Sequence, residues 1–487
     1  MSAGRGGGAL AIVLHTHMPY VEGFGTWPFG EEWLWEAIAS SYLPLLELLD
    51  AGAPLTLSLT PVLCDQLEAD GVAARFAEFV DGVRRETHER DAAGLRAGGH
   101  DALAAELDRA WGDYASALAS MQRRGGDLLS ALAPHAQWTS SATHAILPLL
   151  ASDAGVRLQV HGGVESHRRR FDAHWHGGFW LPECAYAPWL GRALEDAGVS
   201  AVCVELTNLL GLGAEQHLQP LRSDAGVLLV PVDRATMALV WSEHGYPAAG
   251  AYRDHHHHTI HHHKPWGNDG EPYDHAAAIE LARAHAADFV ARTHARIERH
   301  PGSGHGGAGA LAVCALDTEL LGHWWYEGVA WLEAVVAECE RQGLELLRLD
   351  DALARFEADA LADLDAVAAV AGAGGELPAS SWGLDGDLST WSGPAVAEMA
   401  FATRAAELEV LAAGAGAPTA AIRQLLALQS SDWAFMRSRE IAAPYALERH
   451  EGHRRALSEA LAAGERAVGE PLRNLAVDTD RASLLAP

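Results

Sequence analysis

Two stretches of the chain set a carboxylate where a buried strand gives out. Phe179-Trp180-Leu181-Pro182-Glu183-Cys184-Ala185-Tyr186 is an apolar run ending in proline, which has no N–H for a sheet ladder and marks a strand's end. Glu183 follows directly, with aromatics on both sides. Leu311-Ala312-Val313-Cys314-Ala315-Leu316-Asp317 is a second apolar strand closed by an acid, and Gly322-His323-Trp324-Trp325-Tyr326-Glu327-Gly328 comes soon after. An acid at the mouth of a buried strand is costly to ionise unless it is paired, so its pKa can be tuned. Capping of a neighbouring turn would account for either residue alone. The repetition points instead to acid–base work on a sugar.

Cleavage of a glycosidic bond with retention needs two carboxyl groups about 5–5.5 Å apart, one attacking the anomeric carbon and one shuttling the proton. Repulsion between them raises one pKa, so that a proton is held near neutral pH. Glu205 and Glu319 also fall at or just past strand ends, and residue types alone do not rank Glu183 and Asp317 above them. His15 and His17, two apart on a strand, face the same way. Three roles fit that pair: ligands of a divalent metal in a hydrolase, hydrogen-bonding partners of substrate hydroxyls or a catalytic carboxylate, or a structural pair. His144, in Thr139-Ser140-Ser141-Ala142-Thr143-His144, joins them only if the fold brings it there. The tract His255–His258 and His261–His263 is read as a mobile, solvated loop with no catalytic part. Sixteen tryptophans exceed what core filling asks for. Trp180, Trp241, Trp266, Trp324, Trp325, Trp382 and Trp391 fall in expected loops or strand ends, where flat faces suit glucose rings and exclude water.

The chain has 487 residues, enough for one large barrel and a smaller domain. A formal charge of −30 argues against nucleic acid and anionic membrane surfaces as partners and is compatible with a neutral polysaccharide. Five scattered cysteines fit reduced thiols in a cytoplasmic protein. Met1–Gly8 lacks the features of a signal peptide, and no apolar stretch is long enough for a membrane span.

Ala9–Leu14 reads as a first buried strand and Leu55–Leu59 as a second, with a helical pattern over Glu31–Asp50 between them. Asp65 to about Ala133 is expected to be helical. Further strands are expected at Ala136–Thr139, Arg157–Val160, Gly178–Leu181, Ala201–Val204, Val227–Val232, Leu311–Leu316 and Leu344–Leu347. Helical patterns between them (Val164–Phe171, Trp189–Ala197, Ala276–Glu298, Val329–Gln342) predict a parallel sheet closing toward a barrel, with reactive groups at the strands' carboxyl ends. Leu206–Asp274, with one strand and much loop, has the length of a lid or binding loop. Ala360–Gly375 reads as a helix end and linker, and Ala395–Ala467 as about three helices. No fixed-period repeat is present.

Taken in order, Leu14-His15-Thr16-His17-Met18-Pro19-Tyr20-Val21, the His144 segment, Trp180–Tyr186 and Leu316–Trp325 resemble four signature regions of glycoside hydrolase family 57. Trp382-Gly383-Leu384-Asp385-Gly386-Asp387 with Trp391 resembles a fifth. Leu425–Trp433 and Tyr445–His453 resemble the helical C-terminal region of the family's glycogen branching members. The resemblance implies an α/β fold, a (β/α)7-type distorted barrel (1–64 and 134–375) with a helical insertion (65–133) and an all-helical C-terminal domain (376–487). It implies a retaining mechanism with neither metal nor organic cofactor, Glu183 as nucleophile and Asp317 as general acid/base. Candidate substrate-side residues are then His15, His17, His144, Trp180, Glu205, Trp241, His323, Trp324, Trp382, Asp387, Trp391 and Trp433. The implied reaction cuts an α-1,4-glucan donor and passes the segment to a 6-hydroxyl of an acceptor glucan. Two departures bear on it: Leu206–Val240 contains no Phe, Tyr or Trp, and Ala187 stands where arginine is frequent in relatives. Hydrolysis or 4-α-glucanotransfer by the same site are the near alternatives; a metal-dependent deacetylase built on His15 and His17, or a glucan-binding protein without catalysis, are the distant ones.

Overall fold

The strand β1 (Ala9–Thr16) is buried at every residue and is the axis of the sheet. The computed structural model describes residues 8–25, 29–300, 309–356, 361–370, 378–464, 472–477, 479 and 481–485. Eight further strands follow: β2 (Thr56–Leu59), β3 (Ala136–Ser140), β4 (Gly178–Trp180), β5 (Ala201–Val204), β6 (Leu221–Arg222), β7 (Leu228–Pro231), β8 (Leu311–Asp317) and β9 (Glu345–Leu347). Their order is β6-β7-β5-β4-β3-β2-β1-β8, with β9 paired to β1. Of the strands on this path only β6 runs antiparallel. Of the rest, β1, β2, β4 and β5 are buried at every residue, as in strands covered on both faces, although β2 alternates Thr-Leu-Ser-Leu. β8 takes one edge of β1 over Ala9–His15; β2 and β9 share the other, pairing with Val13–Thr16 and Ala9–Ala11. The sheet curls until the N–H of Asp233, just past β7, donates to the Val313 carbonyl of β8 at 2.8 Å. The result is a (β/α)7-type distorted barrel.

Packing at its amino end depends on one small residue. Trp138 on β3 is fully buried, and a Cβ on Gly178 of β4 would lie 1.8 Å from its ring. Between β2 and β3 the chain is helical, with Arg85–Ala97 and Asp101–Arg123 as its longest pieces.

Arg157–Val160 is not a strand: it lies inside the helix Asp153–Arg170. Ser152 caps that helix by accepting from the Gly155 N–H, and Val156, Gln159, Val160, Gly163, Val164 and His167 form its buried stripe. Four residues viewed alone alternate like a strand; the longer 3–4 spacing decides. The C-terminal region has four principal helices, not about three: Ala397–Ala413, Thr419–Leu428, Ser431–Ser438 and Ala443–Ala463. Residues 206–274 carry two strands, β6 and β7, where one was expected. The helix expected near residue 360 is Leu364–Val370, and the linker expected after it lies outside the described residues.

The histidine tract is solvated only in its first half: His256, His257 and His258 are exposed, as expected, whereas the second half is packed. His263 is 4% exposed, bonds Thr87 Oγ1 at 3.0 Å and lies against His88; His261 pairs with Asp91 at 2.6 Å. Lys264, next in sequence, is half-buried near Glu36 and reaches His255 Nδ1 at 2.8 Å. The second half of the tract, His261 and His263, is packed against the helical insertion. Among the described residues no helix is long and apolar enough to cross a membrane.

Candidate active site

Register assembles the site. His15 on β1 stands opposite Ser58 on β2 and Asp317 on β8, so these three side chains form a row across the carboxyl end of the sheet, about 5 Å apart strand to strand. On the far side of β2 and β3, β4 ends at Trp180 and the chain turns through Pro182-Glu183-Cys184. Glu183 adopts φ 60°, ψ 23°, Cys184 φ 49° and His144 φ 61°. Such left-handed backbone in residues with a Cβ costs on the order of 1–3 kcal/mol each and persists only where surroundings enforce it. Here a distant segment does so: Trp382 N–H donates to the Glu183 carbonyl at 3.0 Å, and Tyr186 and Ser380 exchange a pair of backbone bonds at 2.9 Å.

The same segment addresses the Glu183 side chain. Trp382 Nε1–H donates to Glu183 Oε2 at 2.8 Å. Burial and then the charge of Asp317 raise Glu183 to about 8, against the opposing indole bond. Asp317 is pushed well above the ordinary carboxyl range by burial and then by Glu319. Glu319, itself raised to about 8 by burial, accepts from Tyr42 Oη at 2.6 Å and from the His17 N–H at 3.2 Å. The Glu183–Asp317 pair is therefore a coupled, desolvated unit that holds a proton at neutral pH.

The three histidines come together. His15 Nε2 lies 2.9 Å from His144 Nε2, and His17 stacks on His144 with centroids 3.9 Å apart. His15 also stacks on Trp180 at 4.7 Å. Burial and then the neighbouring imidazoles push His15 well below its ordinary value; burial and then His17 do the same to His144, so both are neutral. His17, His144 and Asp432 bring possible metal-ligand atoms within 4.8 Å of one another. Those atoms are already engaged: His17 Nδ1 with Thr60, His17 Nε2 with Asp432, His144 Nδ1 with Ser431 and His144 Nε2 with His15. A cation would have to break these bonds.

Asp432 and Ser431 escaped the sequence reading, which took Trp433 from the same motif. Asp432 grips His17 Nε2 at 3.0 and 3.2 Å, and Ser430 Oγ donates to it. Burial opposes its charge, but the His17 charge and hydrogen bond hold Asp432 below the usual carboxylate range. Ser431 Oγ reaches His144 Nδ1 at 2.8 Å, and Ser430 bridges to Ala145. The available signal was the polar run Gln429-Ser430-Ser431-Asp432 following the apolar Leu425–Leu428.

Other expected residues lie elsewhere. Trp241, 39% exposed, meets Trp382 edge-on at 5.2 Å and extends the aromatic wall. Trp180 is fully buried beneath His15 and Trp382, so it backs the site instead of lining a groove. Trp433 is 1% exposed with its indole N–H on the Ala427 carbonyl, and Trp391 is buried against Gly383. Both are packing residues because the helices they sit on close over them. Asp387 accepts from the Ser389 N–H at 2.8 Å in a local turn just before the short helix Ser389–Ser392. His323 and Trp324 pack on His255. Glu205 accepts from the Thr207 N–H at 2.6 Å and lies 3.9 Å from Arg234.

A parallel barrel whose carboxyl end sets two desolvated acids among neutral imidazoles and indoles is built like a sugar-cleaving enzyme. Residues 138–365 match the model of glycosyl hydrolase family 57, and residues 397–475 that of the 1,4-alpha-glucan branching enzyme C-terminal region. A probable 1,4-alpha-glucan branching enzyme of Mycobacterium tuberculosis is 33% identical over 98% of this chain and 96% of its own length. The 1,4-alpha-glucan branching enzyme of Thermococcus kodakarensis is 32% identical over 79% of this chain, which spans 61% of that relative. The crystal structure of a branching enzyme of this family from Pyrococcus horikoshii superposes with a TM-score of 0.86 at 28% identity, covering 98% of this chain and 97% of that one. An alpha-amylase from Thermotoga maritima shares the fold, with a TM-score of 0.78 at 21% identity over 99% of each chain. The chain belongs to glycosyl hydrolase family 57.

Proposed function

We propose that this chain is a retaining α-1,4-glucan branching enzyme of the cytoplasm, acting in glycogen-type glucan synthesis. Glu183 attacks the anomeric carbon of an α-1,4-linked donor while Asp317 protonates the departing chain; Asp317 then takes the proton of an acceptor 6-hydroxyl, which displaces Glu183 and leaves an α-1,6 branch. The observation that carries this reading is the burial of Glu183 and Asp317 at the sheet's carboxyl end, close enough for the charge of Asp317 to raise Glu183, with one indole N–H aimed at Glu183 Oε2. That bond favours the ionised form of Glu183, and Glu319 favours the protonated form of Asp317, which sorts nucleophile from acid. Asp432 is a positioning residue: it fixes His17, which stacks on His144. The aromatic wall of Trp382 and Trp241 excludes water in favour of a second glucan. Its five cysteines, all buried and unpaired, suit a reducing compartment.

Incubation of the protein with amylose, followed by a debranching enzyme, tests the reading. New short chains released by debranching are expected, and their absence overturns it. Hydrolysis is the second reading, favoured by the missing aromatics of residues 206–240; a large apolar side chain exposed there is Leu212, and Asn208 ties the segment to the Asp385 carbonyl. It would appear as new reducing ends without branches.

A further inference from the structure

A cavity of about 570 Å³ opens at the opposite, amino end of the barrel, in the size range of small-molecule sites, about 300–1,000 Å³. It lies between the first residues of β3, β4, β5 and β7 and the helix Leu349–Leu353. His167 lines it, 2% exposed, with neither ring nitrogen bonded to the protein. A buried imidazole left without partners loses the hydrogen bonds it would make in water, so its two nitrogens are available to a ligand. Trp175 packs beside it, with ring centroids 5.2 Å apart. Around them stand Gln137, Ser200, Asp172 and Asp350, the last accepting from the Trp138 indole at 3.0 Å.

The chemistry of the walls selects the ligand. No lysine or arginine lines the cavity and His176 stands at its exposed edge, so an anion inside meets two carboxylates and no fixed countercharge. Burial lowers His167 to about 4, which keeps it neutral and able both to donate and to accept. Carboxylates, an amide, a hydroxyl and a neutral imidazole beside an indole make a set of partners for hydroxyl groups on a partly apolar ring. We infer that this cavity is a second, non-catalytic binding site for a segment of neutral α-glucan. The inference rests on the glucan reading of the catalytic end. A polymer held at both ends of the barrel, or by neighbouring chains of one branched particle, meets the catalytic groove at raised effective concentration.

The test uses the full chain. In E183Q, hydrogen exchange of residues 172–177 and 198–201 is followed with and without maltoheptaose, alongside residues 380–387 near the catalytic carboxylates. Several-fold slowing in both regions is expected. Ala354→Trp, at the exposed rim, should abolish it at the cavity and leave it at 380–387; Asp172→Ala gives a second, milder probe should the tryptophan disturb folding. On otherwise wild-type protein, Ala354→Trp should raise KM for amylose about tenfold or more while leaving kcat and the KM for maltoheptaose unchanged. Slowing confined to 380–387 overturns the second site alone. No slowing anywhere overturns both the second site and the glucan reading.

Discussion

The two ends of the barrel are built from the same strands under opposite rules. At the amino end Trp138 fills the space that Gly178 leaves, and the strands start in ordinary extended backbone. At the carboxyl end three non-glycine residues sit in left-handed conformations, and acids, imidazoles and indoles crowd together in a buried cluster. That end is held from outside: segment 380–382 pins the Glu183 turn, and Ser430–Asp432 pins His17 and His144. One end is stabilised by packing; the other is kept in costly chemistry by elements far away in sequence.

The largest effects belong to the carboxyl end. Glu183→Gln and Asp317→Asn are each expected to lower turnover by several orders of magnitude, as loss of one member of a unit does. Retention of measurable branching by both variants would end the two-acid reading, and with it the contrast between the ends. Asp432→Asn keeps size and weakens the grip on His17. It should lower kcat on the order of 100-fold with little change in KM, since a displacement of about 1 Å at a positioning contact has that scale. Steady-state kinetics on amylose decide it: an unchanged kcat would mean that Ser430–Asp432 merely glues the helices down.

These two sets of residues were unequally legible in the sequence. Asp317 ends a strand of seven residues whose apolar run is unmistakable, and Glu183 follows a proline between aromatics. Asp432 lies 415 residues from His17, and only the packing of the C-terminal helices on the loop after β3 brings them together. Trp433 drew attention by its residue type while its neighbour carried the contact. The second half of the histidine tract misled for the same reason: composition suggested solvent throughout, and the partners that bury His261 and His263, namely Thr87, His88 and Asp91, sit on the helical insertion. Strand ends are written locally; what braces them is not.

Trp382→Phe sharpens the comparison further. It keeps the aromatic bulk and removes the N–H that favours ionised Glu183. Loss of a hydrogen bond to a charged group, about 1.5–3 kcal/mol, corresponds to roughly 10- to 100-fold in kcat. Because Glu183 must be ionised to attack, and the bond lowers its pKa, the acid limb of the pH–rate profile should move to higher pH. An unmoved limb would assign the loss to packing.

The smallest effects concern stability and run in opposite directions at the two ends. Gly178→Ala forces a Cβ into the Trp138 ring and should cost about 1–3 kcal/mol in denaturant unfolding, with kcat intact below the transition. Glu183→Gln should instead raise the melting temperature. Glu183 has an ordinary value of 4.5 and sits at about 8 in the folded chain. Between those values the folded protein keeps the proton that the unfolded chain has released, so stability falls as pH rises through that window. Glutamine has no proton to lose. The gain of Glu183→Gln over wild type should thus be small at pH 5 and reach its full size by pH 8. A gain that is flat with pH would show that the carboxylate is not desolvated, and the carboxyl end would then be no costlier to maintain than the amino end.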